Sequence, residues 1–446
     1  MDTPLTQTPH FRLRRFLNWF PLGLAYASLY MGRYNLTVAQ GALGDLISKV
    51  AFGEIFAVGA VVYGVAFLLN GPLTDRWGGR RAMLVATLGA GSCNLLMAWA
   101  VKHTLTGGMG KEALLTALTA LYAANMYFQS FGAVAIVKVN AHWFHVRERG
   151  KFSGIFGIMI ASGIFLAFDV NERILRLLKG TGAAGIDPNW HVFLIPGVVL
   201  LVFFVLEAIF LRNRPGEAGL QDFDTGDASS GEDSAPLPAF ALMKRILTHP
   251  VILTLALVEF CTGVLRNGVM HWFRIYAKEQ LAGGAGNAAA WDFALSNWGL
   301  LLMIAGILGG MSAGYVSDLL FQSRRAPAAF FLYLLLTLCC GAMALSLGSA
   351  WLLVALVFVV SVAVIGTHGL LSGTATMDFG GRRGAATAVG IIDGFVYLGT
   401  GLQSYALGWI TTKNWAWWPL FLIPFGLIGT LLLTRIWHAK PGRAAH

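Results

Sequence analysis

Charge is what this sequence lacks. Only 12% of its 446 residues are Asp, Glu, Lys or Arg, whereas 56% are hydrophobic. A soluble domain has about 25% charged residues, so this chain has too few to cover a water-exposed surface. The one long polar stretch has about thirty residues, too few to fold alone. The composition therefore excludes a soluble globular protein and predicts a polytopic membrane protein.

Cysteine and catalytic motifs are also scarce. The four cysteines fall inside apolar segments, the adjacent pair Cys339–Cys340 is a poor disulfide candidate, and no zinc-ligand spacing occurs. No H-E-x-x-H motif and no phosphate-loop lysine is found, and the glycines of "GILGGMSAG" are typical of helix packing. We therefore predict no metal, no cofactor and no enzymatic activity.

Apolar runs of about 20 residues, the length that spans a bilayer, are abundant. Twelve segments meet this length at 16–41, 52–73, 82–101, 113–140, 151–170, 190–211, 250–277, 295–319, 327–346, 350–376, 384–411 and 416–437. Between the sixth and seventh lies an acidic stretch rich in Gly, Ser and Pro, typical of a flexible linker. We predict an all-α membrane protein of two six-helix halves, 1–212 and 246–446, joined by a cytoplasmic linker at 213–245.

The net charge of +10 does not indicate nucleic-acid binding, because the basic residues lie in short loops where they set topology. Twenty Lys and Arg lie at the termini and the even-to-odd connections, and nine on the other side. This bias predicts that both termini are cytoplasmic, as in a bacterial-type inner membrane. The remaining three of the 32, Arg33, Lys138 and Arg266, lie within the predicted helices.

The two halves repeat each other. "GPLTDRWGGRR" follows segment two and "GYVSDLLFQSRR" follows segment eight; "HWFHVRERGKFSGIFG" enters segment five and "MDFGGRRGAATAVGI" enters segment eleven. Internal repeats of this kind are typical of secondary transporters. The loop charges could pair across one face of the bundle and separate when it opens, or simply be solvated turns that set topology. The candidate gating residues are Asp75, Arg76, Arg80, Arg81, Arg149, Asp318 and Arg383.

Two arginines occupy equivalent places in the repeat. Arg33 and Arg266 are 233 residues apart, and the loop residues Arg149 and Arg383 are 234 apart. Each buried guanidinium costs about 2.5–3.5 kcal/mol at a helix centre, and a phosphate of charge near −2 would neutralise both. The alternative is pairing with nearby acids, and Glu259 lies seven residues before Arg266 on the same helical face.

"YASLYMGRYNL" and "LRNGVMHW" resemble the first- and seventh-helix motifs of the organophosphate:phosphate antiporters of the major facilitator superfamily. That family includes glycerol-3-phosphate and hexose-6-phosphate transporters. The resemblance implies the major facilitator fold and makes Arg33 and Arg266 the phosphate-binding pair. It further implies substrate-binding roles for Tyr26, Tyr30, Tyr63, Tyr397 and Lys138.

The chain departs from the family pattern at three positions. Phe67 replaces a second-helix lysine, Ile160 a fifth-helix histidine and His271 a seventh-helix acid. We expect His271 at the rim of the site because it lies five residues past Arg266, off its helical face. Three other polar residues inside apolar segments are either packing groups or functional: His368 is a candidate for substrate binding, and Glu259 and Asp393 are candidates for proton coupling.

The resemblance predicts alternating access, in which the halves rock about a central site. Organic phosphate esters would exchange for inorganic phosphate across the lipid bilayer, and the chain would act as a monomer. Two alternatives share the fold: a proton-coupled symporter of another organic anion, and a sugar-phosphate sensor that does not transport.

Overall fold

The computed structural model describes residues 8–144, 157–180, 187–223, 248–284, 287–322 and 324–439, without the side chains of 72, 75, 180 and 373–389. Every long element within these ranges is a helix. The helices are α1 Pro9–Ala42, α2 Lys49–Trp77, α3 Gly79–Leu105, α4 Lys111–Trp143, α5 157–180, α6 His191–Phe210, α7 Pro250–Ala282, α8 Ala288–Phe321, α9 Arg325–Ser346, α10 Ala350–His368, α11 Thr376–Lys413 and α12 Trp417–Arg435. Helix α5 contains a π-helical segment, Leu166–Val170, and α10 leads into α11 through a second one, Gly369–Ala375.

The predicted architecture of twelve transmembrane helices is confirmed. Nine helices in the described ranges are long and apolar enough to cross a membrane: α2, α3, α4, α6, α7, α8, α9, α10 and α12. The largest differences from the predicted boundaries are at α5 and α11. Helix α5 continues ten residues past the predicted end at 170, and the predicted connection between 376 and 384 is helical. Hydropathy marks where a chain enters lipid, whereas backbone hydrogen bonding can continue the helix beyond it.

Helix α1 is enclosed by protein. Every residue from Ala25 to Gln40 is buried, and the helix packs on α4, α5 and α6. Its polar residues keep its hydropathy below that of the other spans, and a helix that carries a permanent charge is unfavourable against lipid tails. Burial on all sides therefore places α1, with Arg33, at the centre of the bundle.

The two halves meet along α2 and α11, and along α5 and α8. Helices α2 and α11 approach so closely that a Cβ atom added at Gly53 would clash with the carbonyl of Ser404 and touch Gly408. Glycine at this crossing brings the two backbones together, as small residues do between membrane helices.

The first part of the predicted flexible linker is ordered. Residues Pro215–Ala218 form a 3₁₀ turn with Pro215 buried, and the ring of Phe223 packs edge-on against Phe11 at 5.6 Å. Residues 213–223 thus have defined local structure, and the ring of Phe223 covers the start of α1. That 213–245 links the two halves stays a prediction. Residues 224–247 lie outside the described ranges.

Candidate functional site

Arg33 lies in α1 with none of its surface exposed. Its Nε donates to Gln129 Oε1 at 2.9 Å, its Nη1 to the hydroxyl of Tyr397 at 3.0 Å, and its Nη2 to the hydroxyl of Tyr63 at 3.1 Å. These acceptors come from α4, α11 and α2. A residue of the first half is thus bonded directly to a side chain of the second.

Aromatic rings surround the same guanidinium. The Cζ atom of Arg33 lies 4.7 Å from the ring centroid of Tyr30 and 4.6 Å from that of Tyr63, within cation–π range. Tyr26 packs edge-on against Tyr30 at 5.6 Å, and the rings of Tyr63 and Tyr397 are 4.2 Å apart. The structure therefore brings the four predicted tyrosines into one cluster around Arg33.

A chain of buried side-chain amides lies behind Arg33 and was not predicted from the sequence. Gln129 donates to Asn125 at 3.0 Å, Asn94 donates to Asn125 at 3.2 Å, and Asn35 donates to Asn94 at 2.7 Å. These four residues, none more than 1% exposed, fix the orientation of the Arg33 side chain because buried polar groups must stay paired. The signal in the sequence was the isolated amide residues within apolar spans of α3 and α4.

Arg266, in α7, faces the same cluster. Tyr30, Tyr34 and Tyr397 interact electrostatically with both Arg33 and Arg266, so the two guanidinium groups approach one set of rings from the two halves. The Nε of Arg266 is buried without a hydrogen-bond partner among the described residues.

Glu259 does not neutralise Arg266. Its Oε2 is 2.8 Å from Nδ1 of His368 on α10, and no carboxylate among the described residues forms an ion pair with either central arginine. Asp393, on α11, accepts a hydrogen bond from Ser372 and interacts electrostatically with Glu259 and His368. These acidic and imidazole groups form a second cluster beside Arg266. The described residues contain no set of His, Cys, Asp and Glu arranged to hold a metal ion.

Two predicted positions differ in the structure. Lys138 is half-buried and lies nine residues past Gln129 on α4, about 13 Å farther along the helix, so it is not grouped with Arg33. His271 is 1% exposed, and the expectation that it lies at the rim is wrong. Its Nδ1 is 2.7 Å from Thr37 Oγ1 of the first half, and its ring packs on Phe56 at 4.6 Å.

Two of the candidate gating residues contact residues of their own half. Arg80 donates to the carbonyl of Ala208 at 2.8 Å, and Asp318 accepts from Arg325 at 2.7 Å. Arg76 and Arg81 are exposed. The side chain of Asp75, residue Arg149 and the side chain of Arg383 lie outside the described part of the structure.

Polar contacts between the halves occur at the opposite end of the bundle, which we call the distal end, where α1 ends and α2 begins. There Lys49 pairs with Glu279 at 3.1 Å, and Glu172 pairs with Arg274. The described structure is therefore closed at its distal end.

Comparison with known proteins agrees with this architecture. The profile of the Major Facilitator Superfamily matches residues 22–404. The Membrane sensor protein UhpC of Salmonella typhimurium is 24% identical over all of this chain and 98% of its own length. The Glycerol-3-phosphate transporter of Bacillus subtilis is 23% identical, with 98% of this chain and 94% of that protein covered. A probable hexose phosphate transport protein of Chlamydia trachomatis is 22% identical, with 97% and 92% covered.

Proposed function

Because this chain belongs to the major facilitator superfamily, we propose that it is a secondary transporter that exchanges organic phosphate esters for inorganic phosphate. Its relatives include a glycerol-3-phosphate transporter and a hexose phosphate transport protein. The observation that carries the proposal is the approach of Arg33 and Arg266, one from each half, to one tyrosine cluster. Among the described residues, neither guanidinium forms an ion pair with a carboxylate.

Two permanent cations beside one another need an anion. A guanidinium binds phosphate oxygens in a bidentate manner and keeps its charge when buried. A phosphate dianion between Arg33 and Arg266 neutralises both, and the Arg266 Nε, which has no hydrogen-bond partner among the described residues, is a donor available to it. Phosphate is therefore a better match than a neutral sugar or a monovalent anion.

The tyrosines add donors that suit phosphate. A hydroxyl that accepts a hydrogen bond from Arg33, as those of Tyr63 and Tyr397 do, keeps its own proton and can donate it to a phosphate oxygen. Tyr26 and Tyr30 then line the space for the organic portion of the substrate. His368, a member of the second cluster, interacts electrostatically with Arg266 and would contact the substrate from that side.

Exchange follows from the charge on the two halves. At a separation of about 8 Å and an effective dielectric of about 20, two unit charges repel by about 2 kcal/mol. Without an anion this repulsion opposes closure around the site, and a bound phosphate reverses its sign. The empty carrier therefore changes orientation slowly, and phosphate leaves one side only when another phosphate returns. Both termini are placed on the cytoplasmic side of a bacterial-type inner membrane, and the carrier acts as a monomer.

Labelled phosphate exchange in liposomes tests the proposal. The wild-type protein should exchange external labelled phosphate for internal phosphate, and Arg33→Lys or Arg266→Lys should abolish the exchange because lysine lacks the bidentate donor pair. The control is Arg435→Lys, at an exposed arginine at the end of α12, which should exchange normally. Normal exchange by either central variant would reject the phosphate site.

A sensor is the second candidate, because a membrane sensor protein is among the relatives. Sensor and carrier would both bind phosphate compounds, so binding does not distinguish them. If the purified wild-type protein is stabilised by phosphate esters against heat but moves no labelled phosphate in liposomes, the sensor function replaces the carrier. Uptake that follows a pH gradient with no internal phosphate would instead identify a proton symporter.

A further inference from the structure

The second cluster beside Arg266 has no role in phosphate exchange as proposed above. It consists of Glu259 on α7, His368 on α10 and Asp393 on α11. The carboxylate of Glu259 and the imidazole of His368 are 2.8 Å apart. Both groups and Asp393 interact electrostatically with Arg266. Three groups that can gain or lose a proton thus lie beside one of the two proposed phosphate ligands.

Glu259 is not satisfied as an ionised carboxylate. The residue has none of its surface exposed, and its Oε1 has no hydrogen-bond partner among the described residues. An ionised carboxylate buried with one partner is costly, whereas a protonated one, or one paired with a charged imidazole, is not. A proton on either the Glu259 carboxyl or the His368 imidazole removes this cost. The pair is therefore built to bind a proton.

Besides Asp393, the titratable groups described around the pair and Arg266 are tyrosines, Cys261 and His271, which interacts with Arg266 and bonds to Thr37. Tyr333 on α9 donates its hydroxyl to the carbonyl of Val258 at 2.8 Å, and Cys261 is a buried free thiol on α7. Tyr30 and Tyr397 face Arg266 from α1 and α11. Tyrosine and cysteine are both neutral at pH 7. Among the described side chains, the charge balance near Arg266 is thus set by Arg33, Arg266 and the Glu259–His368–Asp393 cluster.

Charge balance then links the proton to the anion. A phosphate dianion between Arg33 and Arg266 neutralises these two charges. The negative charges of ionised Glu259 and Asp393 beside Arg266 are then left unbalanced. A proton on the Glu259–His368 pair removes one of them without moving either arginine.

We propose that the Glu259–His368 pair is a proton-binding site, and that phosphate and a proton bind to this protein together. The inference rests on the proposed phosphate site and adds its ionic coupling. The proton comes from water, is held by the carboxyl or the imidazole while the anion is bound, and returns to water on release. Each phosphate compound is therefore carried with a proton, and exchange of two such compounds stays electrically balanced.

Binding of inorganic phosphate between pH 8 and 9 tests the coupling, because phosphate is a dianion throughout this range. For uptake of one proton, the phosphate Kd of the purified full-length protein should rise about tenfold per pH unit. A pH indicator in weakly buffered solution should report about one proton taken up per phosphate bound. Wild-type binding that is independent of pH and takes up no proton would overturn the inference.

Variants locate the proton. Glu259→Gln, which is neutral at every pH, should bind phosphate with little pH dependence and no proton uptake. The matched control is Glu207→Gln, at a buried glutamate of the first half that likewise has an oxygen without a partner and bonds to Thr87. This control should keep the pH dependence of the wild type. Asp393→Asn tests whether the other carboxylate of the cluster holds the proton. Loss of proton uptake in that variant alone would assign the proton to Asp393 and overturn the proposal.

Failure of the phosphate site and failure of the coupling are distinguishable. If the wild-type protein binds no phosphate at any pH, the proposed function fails. If it binds phosphate and Arg266→Lys does not, but no proton accompanies binding, only the coupling fails. A site that binds only the phosphate monoanion would give the same pH dependence in the wild type, so the variants decide where the proton is held. Where Glu259→Gln does not fold, His368→Gln serves as the second variant, and unchanged proton uptake in the variant that folds would overturn the assignment.

Discussion

The carboxylate of Asp169 in α5 accepts a hydrogen bond from the backbone amide of Gly299 in α8 at 2.6 Å, across the boundary between the halves. Its other oxygen accepts from the amide of Leu300 at 2.9 Å. Just before these residues, Asn297 departs from helical dihedrals with φ of −128°, so the next amides begin a new helical run. Asp169 therefore acts on α8 as an N-cap supplied by the other half.

This cap predicts the behaviour of the distal end. Asp169→Ala leaves the Gly299 and Leu300 amides without their acceptor, and removing a cap costs about 1 kcal/mol. Because the lost contact joins the halves, we expect a several-fold shift toward a distally open state. Spin labels at the exposed positions Leu177 and Phe293, with the native cysteines replaced, would report it as a longer distance distribution. Asp187→Ala, whose carboxylate bonds to Asn189 within the first half, should leave the distances unchanged.

The amide chain predicts that Gln129 positions Arg33 for the anion. Gln129→Leu removes the acceptor of the Arg33 Nε, and hydrogen bonds to charged groups contribute about 1.5–3 kcal/mol. We expect phosphate affinity to fall at least tenfold, measured by titration calorimetry. The comparison is Gln280→Leu, at a half-buried position near the distal end of α7. Unchanged affinity in Gln129→Leu would show that Arg33 needs no support from α4.

The two tyrosines that accept from Arg33 should act as a pair. Tyr63→Phe and Tyr397→Phe each remove one hydroxyl bonded to the guanidinium, and each should weaken phosphate binding several-fold, by about 1 kcal/mol. Because both hydroxyls touch one group, the double variant should deviate from additivity by about 0.5 kcal/mol or more. Tyr405→Phe, at an exposed tyrosine of α11, is the control. Strict additivity would mean that the two hydroxyls contribute independently of each other.

Close packing of α2 on α11 predicts a steric effect on exchange. A Cβ at Gly53 would meet the Ser404 carbonyl, whereas nothing lies within 4 Å of a Cβ at Gly71 on the same helix. Gly53→Ala should therefore slow labelled phosphate exchange at least tenfold by preventing close approach of the halves at the distal end. Gly71→Ala should exchange like the wild type. Equal exchange rates for the two variants would show that close contact between α2 and α11 at Gly53 is not needed for exchange.

Much of the fold could be predicted because the bilayer imposes it. A run of about 20 apolar residues has few stable alternatives to a membrane-spanning helix. The twelve spans and the repeat of the two halves could therefore be predicted from the sequence. The equivalence of Arg33 and Arg266 followed from the spacing of the repeat. The four tyrosines depended on the resemblance to a family, because an aromatic residue in an apolar helix has no distinctive pattern of its own.

The partners of buried polar groups could not be predicted in the same way. Spacing placed Glu259 on the helical face of Arg266 and left open, as the alternative to an anion site, that the two neutralise each other. In the structure the carboxylate is bonded to His368, 109 residues later. His271, expected at the rim, is buried against Thr37. Helical periodicity gives the direction of a side chain, and it contains no information about which helix packs opposite.

The sequence by itself determined that this protein spans a membrane with two repeated halves and carries one buried arginine in each. These properties are local, because they depend on the hydropathy of each segment and on the distance along the chain between matching motifs. Only the tertiary structure decided which partners the buried polar groups have. Gln129, Tyr63 and Tyr397 accept hydrogen bonds from Arg33, His368 bonds to Glu259, and Asp169 caps α8. Each of these contacts joins helices distant in sequence, and a buried polar group bonds to whichever partner the packing places within about 3 Å.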